Sequence, residues 1–311
     1  MFGGVCLVLL AAVAFGFMGL LRQWAVDGGM STYLMLTARF SIAAVVLGFL
    51  VFVQRLGLPK GGILIGLIAM GAIGYFGEAM CFFLAMEHLP SGMVSLLLYL
   101  NPVLVTLGAR VLFGERITPA RIGALALAIG GMGMLLYTPD MARLARDSTG
   151  IVLGLSTAVI YAGYLLAAGR VAAKTGPLQS TLVITASAAV MFGAVLLYRF
   201  INHQESVPAF TLAWKGPWQA VTYFAIFCTV VPIMALLAGI SMIGSVRASV
   251  IAIAEPLTTV IVGVMLLGET ISGVQKIGGG LIVAAAALSA IGGGAGEGKG
   301  KGSKRSRAGP A

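Results

Sequence analysis

The eighteen residues NPVLVTLGARVLFGERIT, at positions 101–118, recur as EPLTTVIVGVMLLGETIS at positions 255–272. Both copies have a proline at the second position and a Gly-Glu pair near the end, at a constant spacing of 154 residues. Upstream of them, Ser95 matches Ser249 in the same register. The chain therefore contains an internal repeat.

The composition around this repeat is that of a membrane protein. Of the 311 residues, 59% are hydrophobic and 10% are charged, whereas a soluble domain carries about 25% charged residues. This composition excludes a soluble enzyme, a nucleic-acid-binding domain and a disordered regulator. Five of the 20 Lys and Arg residues lie in one polar tail, at Lys299, Lys301, Lys304, Arg305 and Arg307. The lipid bilayer is therefore an expected partner, and nucleic acid is not.

The apolar sequence divides into ten segments separated by glycine, proline and charged residues. Helices fit these segments better than a β-barrel, because the runs stay apolar over about 20 residues and do not alternate in polarity. The predicted fold class is an all-α membrane protein with ten transmembrane helices. We number the segments spans 1 to 10: 4–24, 32–53, 62–86, 91–113, 118–137, 150–170, 177–200, 217–240, 244–267 and 271–291.

The repeat divides the ten spans into two sets of five. Because five is odd, the two halves must cross the membrane in opposite directions, which makes them inverted repeats. The expected organisation is a first five-helix repeat at 1–137, a linker at 138–149, a second five-helix repeat at 150–291 and a basic disordered tail at 292–311. Inverted repeats that enclose a site at their interface are typical of secondary transporters.

The basic residues in the loops and near the ends of the spans predict the orientation. If the N-terminus is inside, the inner segments and the tail hold twelve Lys and Arg residues and the outer segments hold six. Positive residues concentrate on the cytoplasmic side of membrane proteins. The prediction is a multi-pass protein of the cell (inner) membrane with both termini in the cytoplasm.

The repeat segments, with LTARFSIAAVV at 36–46, GMVSLLLYLNP at 92–102 and SVRASVIAIAEP at 245–256, resemble the EamA-type members of the drug/metabolite transporter superfamily. The resemblance covers nearly all of the ten spans. It implies two EamA-like five-helix repeats around a central substrate cavity, and export of small metabolites such as amino acids. Span 1 departs from the family, which often has a Trp-Gly pair where this chain has Phe15-Gly16.

Two ionisable residues of opposite charge lie deep in consecutive spans. Arg39 is in span 2 and Glu78 is in span 3, at similar depth if the two helices are antiparallel. Ionisable side chains inside a membrane are costly and are candidate functional residues. We expect the two to form an ion pair, which either responds to a proton or substrate or is a static structural bridge.

Asn101 and Glu255 occupy equivalent positions in the two repeats, each directly before a proline. A proline inside a helix removes a backbone hydrogen bond and kinks the helix, so Pro102 and Pro256 are candidate hinges. Glu255 is the preferred candidate for a site that binds a substrate amine or a proton. The alternative is a protonated Glu255 that hydrogen-bonds a neighbouring helix.

Tyrosines inside the spans are further candidates for the binding site. A lipid-facing tyrosine would leave its hydroxyl unpaired, so these residues could line an amphipathic cavity, although packing roles are equally consistent with the pattern. The residues are Tyr75, Tyr99, Tyr161 and Tyr164.

Two other function classes are considered, a membrane enzyme and a solute channel. The chain has two histidines and lacks HExxH, GxSxG and acidic clusters with metal-ligand spacing, so we expect no catalytic residues, no metal site and no cofactor. A channel is suggested by the Asn-Pro-Val at 101–103, but its repeat partner is Glu-Pro-Leu. The favoured prediction is a secondary-active or facilitative transporter that works by alternating access, with a small-molecule substrate and with protons as a candidate coupling ion. The substrate and the oligomeric state are not predicted.

Overall fold

The computed structural model describes residues 2–89, 91–115, 117–136, 147–171, 174–202, 206–208, 216–267 and 272–291. In these residues the regular secondary structure is entirely helical. Most of the predicted linker and all of the predicted tail lie outside the described residues.

A helix or a pair of helices occupies each predicted span. Spans 1 to 5 consist of α1 (Phe2–Gly16), α2 (Met18–Asp27), α3 (Thr32–Val53), α4 (Gly61–Ala69), α5 (Phe76–Met86), α6 (Ser91–Leu98), α7 (Asn101–Phe113) and α8 (Pro119–Leu135). Spans 6 to 10 consist of α9 (Ser148–Arg170), α10 (Pro177–Ile201), α11 (Pro217–Ala225), α12 (Val231–Ile243), α13 (Ser245–Ala252), α14 (Ala254–Leu267) and α15 (Gly273–Ile291).

Eight of these helical segments are long and apolar enough to cross a membrane. Spans 5 and 10 are shorter apolar helices, and they pack against each other. The structure is therefore that of a multi-pass membrane protein, whereas ten complete crossings stay a prediction.

The helical irregularities recur in the two halves. Span 3 contains a π-helical stretch at Met70–Tyr75, and span 8 contains one at Ile226–Val230. Spans 4 and 9 are broken at equivalent points, since α6 and α7 are separated by Tyr99 and Leu100 and α13 and α14 by Ile253. These features are spaced by about the 154 residues that separate the sequence repeats.

The packing pairs equivalent spans. Span 2 packs against its equivalent, span 7, and span 5 packs against its equivalent, span 10. Span 1 packs against span 8, and the equivalent spans 6 and 3 pack against each other in the same way. Glycines allow the closest of these approaches: a Cβ atom built on Gly278 would lie 2.6 Å from the carbonyl oxygen of Gly131. This arrangement is consistent with an inverted repeat, which remains a prediction.

The two candidate hinge prolines lie just after the helix breaks, in the first turn of α7 and near the start of α14. At these positions a proline costs little, because the first N–H groups of a helix have no partner within that helix. The expected kinks inside continuous helices are therefore replaced by breaks that precede Pro102 and Pro256. In span 4 the side-chain amide of Asn101 donates to the Leu98 carbonyl oxygen at 2.9 Å, the group that an N–H at position 102 would otherwise bind.

Candidate functional site

A cavity of about 120 Å³ lies between the two halves of the chain. Its walls come from spans 1, 2, 3 and 4 of the first half and spans 6 and 9 of the second. Six of the eight predicted binding residues line it: Arg39, Glu78, Glu255, Tyr75, Tyr99 and Tyr161. The fold therefore brings into one cavity residues that are up to 216 positions apart.

Glu78 and Glu255 place two carboxyl groups at this cavity, from α5 and α14. Both residues are partly buried. Tyr99, at the break in span 4, lines the same cavity as Glu255. The break therefore places a tyrosine of the first half at the cavity that Glu255 of the second half lines, and Glu78 adds a second carboxyl group there.

Arg39 is nearly fully buried, and its hydrogen bonds go to span 8. Its Nε donates to the Thr229 hydroxyl at 2.5 Å and its Nη2 donates to the Cys228 carbonyl at 2.9 Å. The guanidinium also lies 4.1 Å from the ring centroid of Phe224. In the described part of the chain no ion pair joins Arg39 to Glu78, so the expected pairing is wrong.

A proline in span 8 explains why Arg39 bonds to that span. Pro232 lies four residues after Cys228 and has no N–H to donate to the Cys228 carbonyl, which an ordinary helical residue would bind. The local π-helix leaves Thr229 donating to the Phe224 carbonyl at 3.1 Å. Arg39 supplies the missing donor from the neighbouring helix and thereby joins span 2 to span 8.

Aromatic rings form the rest of the cavity wall. Tyr75 lies edge-on to Phe40 and to Tyr164, with ring centroids 5.4 Å apart in both pairs, and Tyr161 stacks on Tyr164 at 5.9 Å. Tyr164 itself lies behind the cavity wall and is 2% exposed, so it supports Tyr75 and Tyr161 and does not line the cavity.

Asn101 also lies outside the cavity lining. It is 2% exposed, and its amide nitrogen is used by the Leu98 carbonyl. The equivalent Glu255 cannot take that role when it is ionised, because a carboxylate accepts hydrogen bonds and does not donate them. The two equivalent positions therefore differ in role: Asn101 stabilises the break in its own span, and Glu255 faces the cavity.

Span 1 contributes residues that the sequence reasoning did not select. Phe15 and Met18 line the cavity on either side of the break between α1 and α2. Gly16, at this break, lies so close to span 9 that an added Cβ would be 2.5 Å from Cβ of Thr258. The hydroxyl of Thr259 donates to the Gly16 carbonyl at 3.2 Å. The Phe15-Gly16 pair therefore holds span 1 against the segment that carries Glu255.

The cavity contains groups that can bind positive charge, and the one guanidinium of its described lining, that of Arg39, is already bonded to span 8. Carboxylates can pair with an ammonium group, and aromatic faces attract cations within about 6 Å of the ring centroid. Either carboxyl group could also hold a proton. Among the residues described by the structure, no three His, Cys, Asp or Glu residues form a group that could hold a metal ion.

The comparisons with known proteins agree with one another on a family of transporters. Residues 2–137 and 148–291 match the EamA-like transporter family. The chain is 25% identical over 289 residues to the uncharacterized transporter YcbK of Bacillus subtilis (strain 168), a match that covers 89% of each chain. It is 26% identical over 229 residues to the uncharacterized inner membrane transporter YedA of Escherichia coli (strain K12), which covers 74% of this chain and 70% of that one.

The fold is also found in a solved crystal structure. That chain superposes with a TM-score of 0.76, covering 93% of this chain and 98% of its own length, at 21% sequence identity. At this identity the likeness concerns the fold alone.

Proposed function

Because this chain belongs to the EamA-like transporter family, we propose that it is a secondary-active or facilitative carrier of small metabolites such as amino acids. The cavity that contains Glu78 and Glu255 is its proposed substrate site. An amine group of the substrate would bind between the carboxyl groups, and the aromatic rings would contact the rest of the molecule.

The observation that carries this proposal is the convergence of ionisable residues from both halves on one cavity. Placing a carboxyl group at membrane depth costs a few kcal/mol on insertion scales, so two of them in one cavity need a compensating role. Glu78 comes from the first half and Glu255 from the second, and Tyr99 of the first half lines the same cavity.

Alternating access is the proposed mechanism. In this mechanism the two halves rock about the cavity, and the broken spans 4 and 9 provide the flexible points near Pro102 and Pro256. The paired packing of equivalent spans and the recurrence of the π-helical stretches support it. Proton coupling through a carboxyl group is the proposed energy source, with a substrate gradient alone as the alternative. Export is proposed from the family resemblance.

The proposed location is the cell (inner) membrane, with both termini in the cytoplasm. The bias of basic residues supports this orientation. In this orientation the ends of α2 and α5 and the start of α3 face the outside of the cell.

Transport by purified protein in proteoliposomes tests the proposal. The design is a screen of labelled amino acids and related amines, with and without an imposed pH gradient, followed by counterflow of each positive compound. A carrier shows saturable uptake that unlabelled substrate on the far side accelerates. Flux that neither saturates nor shows counterflow would indicate a channel, and absence of flux for all amine-bearing compounds would overturn the proposed substrate class.

A further inference from the structure

A second cavity adjoins the one described above. It has a volume of about 380 Å³ and lies where α2, α5 and α10 end and α3 begins. We call it the vestibule. Its described lining includes Arg22, Arg199, Glu87, Tyr33, Phe83 and Met86.

We propose that the vestibule is a separate binding site for a small anion, of the class of monocarboxylates with an apolar body. The guanidinium of Arg22 would bind the carboxylate, and Phe83 and Met86 would contact the apolar part. This inference rests on the transport role proposed above, and it concerns a different cavity with the opposite charge preference.

Arg22 has unused hydrogen-bonding capacity. Its Nε is buried and has no hydrogen-bond partner. An unsatisfied buried donor is unfavourable, and a carboxylate matches the planar donor geometry of a guanidinium. Arg22 therefore lacks the partner that a bound carboxylate would supply.

The charges of the lining also favour an anion. The described lining contains the guanidinium groups of Arg22 and Arg199 and the single carboxylate of Glu87. Arg199 lies 4.1 Å from the ring centroid of Tyr33 and has contacts of its own, so Arg22 is the residue on which the proposal depends. Glu87 weakens the positive potential, which selects a singly charged ligand over a multiply charged one.

Phe83 connects the vestibule to the central cavity, since it lines both. The guanidinium of Arg22 lies 5.6 Å from the centroid of the Phe83 ring, within cation–π range. A carboxylate bound to Arg22 would therefore sit against the side chain that separates the two cavities. This position, against a side chain of the central cavity, suits a small solute better than a lipid headgroup held at the membrane surface.

Equilibrium binding of labelled benzoate to the purified full-length protein tests the proposal. Benzoate has one negative charge and an apolar ring, and benzyl alcohol is its uncharged competitor. The protein is placed in nanodiscs of phosphatidylcholine alone and, in a second arm, of phosphatidylcholine with phosphatidylglycerol. The variants are Arg22→Gln and Glu87→Gln, and the control is Arg170→Gln, which removes a guanidinium 3.8 Å from the Phe113 ring at the opposite end of the bundle.

We expect Arg22→Gln to weaken benzoate binding about tenfold or more, because it removes one charge-assisted hydrogen bond. Glu87→Gln should tighten binding about threefold or more, because it removes a negative charge from the lining. This gain cannot come from misfolding. Arg170→Gln should leave binding unchanged, and benzyl alcohol should not compete.

Three results would overturn the inference: no saturable benzoate binding, equal affinities of the wild-type and Arg22→Gln proteins, or unchanged affinity in Glu87→Gln. If phosphatidylglycerol abolishes benzoate binding only when Arg22 is present, the site holds a lipid headgroup and the solute assignment is wrong. Transport by a protein that does not bind benzoate would refute the vestibule site alone. Benzoate binding without transport would refute the proposed function alone.

Discussion

Replacing Arg39 by methionine removes the guanidinium that bonds to span 8 and keeps an unbranched side chain in the same space. The change removes the donor that Arg39 supplies to the Cys228 carbonyl, and Pro232 has no N–H that could replace it. A hydrogen bond to a charged group contributes about 1.5–3 kcal/mol, and Arg39 makes two of them. Relief of the buried charge offsets part of this loss. We expect Arg39→Met to lower the free energy of unfolding by about 2–3 kcal/mol.

The specific prediction is that Pro232→Ala reduces this loss. An alanine at position 232 has an N–H that can bind the Cys228 carbonyl along the helix, so it can replace the arginine as a donor. The loss caused by Arg39→Met should then be about 1 kcal/mol smaller, within the range measured for single hydrogen bonds in membrane helices. The difference is the coupling energy of a double-mutant cycle.

Equilibrium unfolding in mixed detergent micelles measures the four proteins of the cycle. Pro177→Ala is the matched control, because Pro177 is in the first turn of α10, where its missing N–H leaves no helical carbonyl unpaired. It should show no coupling to Arg39→Met. A coupling below about 0.3 kcal/mol for Pro232, or one equal to that of Pro177, would refute the role assigned to Arg39.

Two further predictions concern packing and pH. Gly278→Ala should destabilise the contact between spans 5 and 10 by about 1–3 kcal/mol in the same unfolding assay, because the added Cβ would lie 2.6 Å from the Gly131 carbonyl oxygen. Gly280 has open space around it, so the control Gly280→Ala should be near neutral. Hydrogen bonds from His88 and from the N–H of Gly150 hold the pKa of Asp147 below its ordinary value of 3.8. The stabilisation from this carboxylate is therefore present above about pH 3.8 and is lost as the pH falls through the lower pKa of Asp147 in the folded protein. Acidification from about pH 5 to about pH 3 should then lower the unfolding midpoint more in wild type than in Asp147→Asn. An equal decrease in the two proteins would count against this assignment.

Depth in the membrane restricts ionisable residues strongly, and this restriction is the reason that the sequence selects residues which line the cavity. Glu78 and Glu255 were selected because few other charges lie deep in the apolar spans, and both line the cavity. The prolines of the repeat predicted kinks in spans 4 and 9, and the structure has breaks just before these prolines.

The partner of Arg39 could not be predicted in the same way. Depth alone suggested Glu78, but a hydrogen bond also requires that the two helices present the residues to each other. The signal that could have found the partner is Pro232, since a proline inside a span identifies the carbonyl four residues earlier as needing a donor. Which helix supplies that donor depends on the packing of spans 2 and 8, which the sequence pattern does not give.

The equivalence of Asn101 and Glu255 was also incomplete as a guide. Their positions in the repeat agree, but an amide can donate to a backbone carbonyl and an ionised carboxylate cannot. The side-chain chemistry therefore sends Asn101 to the Leu98 carbonyl and leaves Glu255 at the cavity. A repeat fixes the backbone positions, and the residue type decides which copy is available to a ligand.

The most direct test of the central claim is counterflow of a transported amine in proteoliposomes that contain wild type, Glu255→Gln or Glu115→Gln. Glu115 is the matched control, because its carboxylate is bound by Arg121 at 3.1 Å, away from the cavity lining. If the cavity is the transport site, Glu255→Gln abolishes counterflow or removes its dependence on pH, while Glu115→Gln transports as wild type does. Counterflow with a wild-type rate and pH profile in folded Glu255→Gln protein would contradict the account.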